Sequence, residues 1–168
     1  MLMKKSIPII FLFLIIQTAV HGENSTFYYN KGVEFFKAGN MLEAENNFKL
    51  SVKANPSYTL AHYGLGRIYI SQNGKIKDSV KHLKSSVSLD PDFAMGWFKL
   101  GLAELIAGKY IDALHSFDNA YKKDETLIES LYNMGVVYDL LGDEFKALTY
   151  FRLYYKKVKG EGSIQFEL

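Results

Sequence analysis

Gly32, Gly66, Gly101 and Gly135 recur at spacings of 34, 35 and 34 residues. A period of that length restricts the chain to stacked supersecondary units, each repeating one small motif. The surrounding chemistry recurs with the glycines. Phe35, Tyr69 and Tyr138 lie three residues after theirs, with Glu104 as the exception, and a small residue follows at Ala44, Ser79, Ala113 and Ala147. A large apolar residue comes next at Phe48, Leu83, Phe117 and Phe151. Small residues return at Ser51, Ser86 and Ala120, a column that Tyr154 breaks.

Each unit has a turn at its middle: Gly39-Asn40, Asn73-Gly74, Gly108-Lys109 and Gly142-Asp143. Such pairs end one helix and admit another. The second turn is one residue longer, which accounts for the single spacing of 35. Apolar residues between the breaks follow a helical period, as in Ala113, Leu114, Phe117 and Ala120. The pattern predicts helix pairs at 25–38 with 41–54, 59–72 with 75–89, 94–107 with 110–123, and 128–141 with 144–157. Asn55-Pro56 and Asp90-Pro91 stop the second helices of the first two units, because proline disfavours a helical residue before it. The central glycines let paired helices approach, and the aromatics fill the remaining space. A single hairpin cannot bury its own apolar face, so the hairpins must stack.

The first 22 residues differ from this pattern. Lys4 and Lys5 precede an almost unbroken apolar run from Ile7 to Ile16, followed by the more polar Gln17 to Gly22. This three-part form predicts a signal peptide over 1–22, cut after Gly22. The alternative, an uncleaved anchor giving membrane contact, needs about 20 apolar residues, more than the run supplies. All 18 acidic residues lie after Gly22, and removal of Lys4 and Lys5 leaves 18 basic ones, hence no net charge. That balance gives no electrostatic basis for nucleic-acid binding. With no cysteine in the chain, disulfides, thiol nucleophiles and thiolate metal sites are excluded. The expected location is exported, periplasmic or secreted, in a bacterium.

The repeat resembles the tetratricopeptide repeat (TPR) family. Trp97, Leu100, Gly101, Ala113, Phe117 and Ala120 carry the likeness in the third unit. Tyr28, Gly32, Phe35, Ala44, Phe48 and Pro56 carry it in the first, Gly66, Tyr69 and Pro91 in the second, and Gly135, Tyr138, Ala147 and Phe151 in the fourth. His62, Leu131, Glu104 and Glu125 depart from the motif. The resemblance implies an all-α fold, a right-handed superhelical α-solenoid of four antiparallel helix pairs. Gly160, Gly162 and Ser163 predict a loose or lightly packed tail over 158–168, and the resemblance places repeats at about 25–58, 59–93, 94–127 and 128–157. It further implies a concave face, formed by the first helices, that holds a peptide or protein segment.

On that face three columns are expected to form a partner-binding groove. Tyr29, Tyr63, Phe98 and Tyr132 stand three residues before the glycines; Val33, Arg67, Leu102 and Val136 stand one after; Phe36, Ile70, Leu105 and Asp139 stand four after. Offsets of three and four share a helix face. The plainer alternative is that the aromatics pad seams between helices, which suits Phe98 and Leu102 better than the tyrosines, whose hydroxyls prefer polar surroundings. The expected ligand is a protein or peptide with apolar anchors.

Catalysis needs convergent groups, and the pattern offers none. His62, His82 and His115 occupy unrelated phases, with His62 in the place of Trp97, and Glu43 and Glu45 are expected to face water. Asp90 is expected to stop one helix and Asp92 to help cap the next. No catalytic residue, cofactor or metal is expected. Two alternatives remain: a subunit acting on envelope glycans, for which Glu129 with Asp139 is the sole carboxylate pair on offer, and an array that associates with copies of itself.

Overall fold

In the computed structural model, residues 24–72 and 74–160 are described. They contain eight α-helices and no strand. These are α1 (24–37), α2 (Met41–Ala54), α3 (Thr59–Ile70), α4 (Ile76–Leu89), α5 (Ala94–Ile106), α6 (Tyr110–Lys123), α7 (Glu129–Leu140) and α8 (Glu144–Lys159). The helix pairs follow the predicted order, with ends shifted by at most two residues. Two ends differ by two residues: α3 stops at Ile70, and α8 continues through Val158 and Lys159, where Gly160 ends it with φ +67°. Those two residues therefore belong to the last helix, while the rest of the expected tail, 161–168, and the leader, 1–22, lie outside the described residues.

The turns have identifiable causes. At the middle of the third and fourth units, Gly108 and Gly142 take φ +72° and +77°, a conformation that side chains rarely tolerate. Asn40 and Asp143 cap the helices that follow, accepting from the backbone N–H of Glu43 (3.2 Å) and Lys146 (3.0 Å). Between units a second device recurs. Asn55, Asp90 and Asp124 are extended, and each side chain accepts from the backbone N–H two residues on, at 2.9, 3.1 and 2.9 Å. Asp124 does this with Glu125 where the other units have proline, so the side-chain turn suffices without the ring. Asp92, by contrast, caps nothing: Phe93 occupies the N-cap of α5, and the Asp92 carboxylate pairs with Lys123 at 2.5 Å.

The chain divides into two compact units, Met1–Leu65 and Gly66–Leu168. In the first, α1 and α2 meet at Gly32, where a Cβ would lie 2.6 Å from the Phe48 ring. Ser51 Oγ donates to the Ser25 carbonyl at 2.7 Å, tying the same two helices. Glu45, expected to face water, is buried and paired with Lys49 at 2.6 Å, because the salt bridge neutralises a carboxylate on the packed side of α2. His62 Nε2 lies 3.0 Å from the Pro56 carbonyl oxygen, an acceptor, so that nitrogen carries the proton.

In the second unit α5 packs on α6, α7 on α8, and α4 and α6 on the helices that follow them. Trp97 Nε1 donates to the Pro91 carbonyl at 2.9 Å, the same six-residue reach that His62 makes to Pro56. Gly66, Gly101 and Gly135 face Leu83, Phe117 and Phe151. Phe117 is fully buried and, with Ala113, Leu131, Met134 and Val137, forms a continuous core. Burying one such side chain contributes roughly 1.5–3 kcal/mol.

Each hairpin of this unit also has a second filler pair, set three residues after the glycine and three after the small residue. Tyr69 meets His82 with centroids 5.8 Å apart, and Tyr138 stacks on Tyr150 at 5.4 Å. In the third hairpin the pair is Glu104 with Ser116, whose Oγ donates to Oε2 at 2.6 Å.

Candidate interaction groove

The first-helix columns divide between the two compact units. In the first, Tyr29, Val33 and Phe36 on α1 and Tyr63 on α3 are all half-buried. The Tyr29 ring rests on Phe48 and meets Tyr58 edge-on, with centroids 5.7 and 5.5 Å away. This aromatic is therefore held by the residue that packs on Gly32, which fixes its position while leaving part of it open.

In the second unit the same construction appears twice. Phe98 leans on Phe117 with centroids 5.8 Å apart, and Tyr132 leans on Phe151 and Tyr154 at 5.5 and 5.4 Å. Phe98, Leu102 and Leu105 pack with one side against the buried core of α6 and α7 and remain half-exposed on the other. They serve the seam and the surface together. Tyr132 is 47% exposed, Val136 and Ile70 are half-buried, and Arg67 and Asp139 are exposed.

One residue beside these columns went unread in the sequence. Lys99 follows Phe98, is half-buried, and holds its Nζ 5.4 Å from the Phe98 ring centroid. Burial first, and then the Arg67 guanidinium, hold its ammonium below the ordinary lysine range. The column two residues before each glycine, Asn30, Gly64, Lys99 and Asn133, was polar enough to have drawn notice. Arg67 and Lys99 make the α3–α5 part of the surface locally cationic.

Glu129 and Asp139 do not converge. Both lie on α7, ten residues apart (139 − 129), which corresponds to about 15 Å of helix rise, beyond the separation of a glycosidase carboxylate pair. Among the described residues, no group of three His, Asp or Glu side chains is placed to hold a metal ion, and no helix is long and apolar enough to cross a membrane.

The sequence matches the tetratricopeptide repeat over residues 29–92 and 71–128. The curated protein Superkiller complex protein 3 of Mus musculus is 26% identical over 126 residues, which is 75% of this chain and 8% of that protein; the Homo sapiens counterpart is 25% identical over 119 residues. The chain thus spans a small fraction of the length of these relatives. Among solved structures, MamA superposes with a TM-score of 0.78 at 19% identity, covering 89% of this chain and 86% of that one. The first TPR of Spaghetti (RPAP3), bound to the HSP90 peptide SRMEEVD, gives 0.68 at 16% identity, covering 72% and 95%. With four helix pairs in the chain, each repeat glycine against a large apolar side chain of the paired helix and a family match across most of the described residues, the chain belongs to the tetratricopeptide repeat family.

Proposed function

We propose that this chain is a non-catalytic interaction module that holds a peptide or protein segment along the first-helix columns of its units. The carrying observation is that Phe98, Leu102 and Leu105 stay partly open although buried core side chains fix them from behind, and that Tyr132 stays exposed while the Phe151 and Tyr154 rings hold it. A pre-positioned aromatic and aliphatic surface binds without losing rotamer freedom. The RPAP3 repeat of similar fold, solved with an HSP90 peptide, supports a peptide ligand. Apolar side chains of the partner would contact Phe98, Leu102 and Tyr132, and the Arg67–Lys99 pair would favour negative charge beside them.

The test is site-directed photo-crosslinking from position 132 in intact cells, followed by identification of what is captured. A heterologous protein whose capture is lost with Leu102→Glu, helicity being unchanged, supports the reading. Capture of the protein by itself alone would make the array self-associating and overturn the reading. An exported, envelope-associated site of action is part of the proposal and rests on the composition of residues 1–22. Fractionation with intact-mass measurement tests it: a periplasmic or secreted species beginning at Glu23 is expected, and a cytoplasmic full-length chain would refute it.

A further inference from the structure

The Glu104–Ser116 pair leaves a hole where its counterparts Tyr69–His82 and Tyr138–Tyr150 fill space with rings. The result is a cleft of about 290 Å³ between α4, α5 and α6. By helical phase it lies on a different face of α5 from Phe98, Leu102 and Leu105.

Its chemistry is unusual for a solvated side of a helical repeat. Val87 and Leu100, both buried, supply apolar lining, and Trp97 supplies an aromatic ring with His115 edge-on to it, centroids 5.8 Å apart. The indole N–H is already committed to Pro91, so the ring offers its π surface and no donor. Glu104 is 1% exposed, an uncommon place for a carboxylate in a protein of this size. Asp112 stands at the rim, about half exposed. A single cation, Lys84, serves both carboxylates. Its Nζ is 3.3 Å from Glu104 Oε1 and 3.7 Å from Asp112 Oδ2, and its side chain is half exposed. The second distance is long for a charge-assisted bond, so Asp112 is weakly satisfied. The cleft therefore carries two carboxylates against one ammonium, beside an aromatic ring.

We propose that this cleft is a second recognition site, taking the arginine or lysine side chain of a partner polypeptide. The incoming cation lies against Trp97 and pairs with Asp112, while Lys84 stays with Glu104, so two cations then balance two carboxylates. Lys84 thereby gives up only its 3.7 Å contact with Asp112, for which it competes with the incoming cation, and keeps the 3.3 Å contact with Glu104. Charge complementarity selects this ligand: an anion would meet Glu104 and Asp112, and a neutral molecule would leave the charge imbalance unchanged. The site does not depend on the first-helix groove.

Trp97 is the sole tryptophan of the chain, so its fluorescence reports this cleft alone. The test titrates the full chain with N-acetyl-arginine amide and, in parallel, with N-acetyl-citrulline amide, which has nearly the same shape and no charge. A saturable change with the first and none with the second is expected. Asp112→Asn should weaken binding roughly tenfold, the scale of losing one charge-assisted partner. Lys84→Met should strengthen it by removing the internal competitor. If Lys84→Met fails to fold, the Asp112→Asn comparison, at a half-exposed side chain, decides alone. Equal responses to both probes, no loss in Asp112→Asn, or a response to cellobiose in place of the arginine probe would each overturn the proposal. None of these readings uses the crosslinking partner of position 132, so the two proposals fail separately.

Discussion

Ser51 Oγ donates to the carbonyl oxygen of Ser25 in a fully buried bond, whereas Ser86, its counterpart one repeat later, is as deeply buried and has no acceptor among the described residues. The same small-residue column is thus satisfied in one hairpin and orphaned in the next, and alanine occupies it in the third, at Ala120.

That difference sets the sign of two substitutions. A buried hydroxyl without a partner costs about 1–3 kcal/mol, so Ser86→Ala is expected to raise stability by about 1 kcal/mol. Ser51→Ala removes a made, buried bond to the Ser25 carbonyl, so it should lower stability by a similar amount. Urea unfolding monitored by circular dichroism measures both, as opposite shifts of the midpoint with an unchanged slope.

Gly101→Ala would place a Cβ 2.7 Å from Cδ1 and Cε1 of Phe117, a ring with no exposed surface into which to retreat. Overpacking costs about 1–3 kcal/mol, and the helix preference of alanine over glycine returns about 1. A net loss of about 1 kcal/mol is expected in a thermal melt. Adding Phe117→Leu, which vacates part of the ring volume, should make the alanine at 101 less costly than it is alone.

The Asp143 carboxyl is held below the ordinary carboxylate range by its side-chain bond to Lys146 and then by the Lys146 backbone N–H. A depressed carboxylate contributes stability that is complete above its unfolded value and is lost as pH falls through the folded one. Protection of the first-turn amides of α8 against hydrogen exchange should therefore decline as pH is lowered through and below that range. Asp143→Asn keeps an N-cap acceptor and cannot ionise, so its protection should be flat over the same interval.

The Lys99 ammonium titrates low because of its burial and, second, because of Arg67. Arg67→Gln removes the second cause only. The Lys99 titration, followed by NMR at the side-chain methylene beside the nitrogen, is expected to move upward toward the ordinary lysine value without reaching it.

The helix order and the glycine–ring contacts could be read from the chain because they repeat. Gly101 against Phe117 and Gly135 against Phe151 are one contact made twice, and periodicity announces it. Features made by departures from the repeat were harder to read. Glu45 looked solvated because a charged residue on a helix usually is, and only its partner Lys49, one turn later, explains its burial. Asp92 suggested a cap by its place beside Pro91, yet it is spent on Lys123, 31 residues away, a pairing that local sequence does not encode. Lys99 and the Glu104 cleft were missed for the same reason: each depends on what stands in a neighbouring hairpin. Of the groove columns, the residue types were legible. That Phe98 and Leu102 face both core and solvent was not, because a helical phase gives a direction and no depth.

The second filler pair bears on how such arrays diversify. Tyr138 with Tyr150 and Glu104 with Ser116 occupy corresponding stations, yet one is a stacked plug and the other an open socket. Since these pairs stand apart from the glycine contacts, one rung can exchange inert packing for a charged recess while the contacts that set the ladder stay as they are. A scaffold of this kind can acquire chemistry one rung at a time.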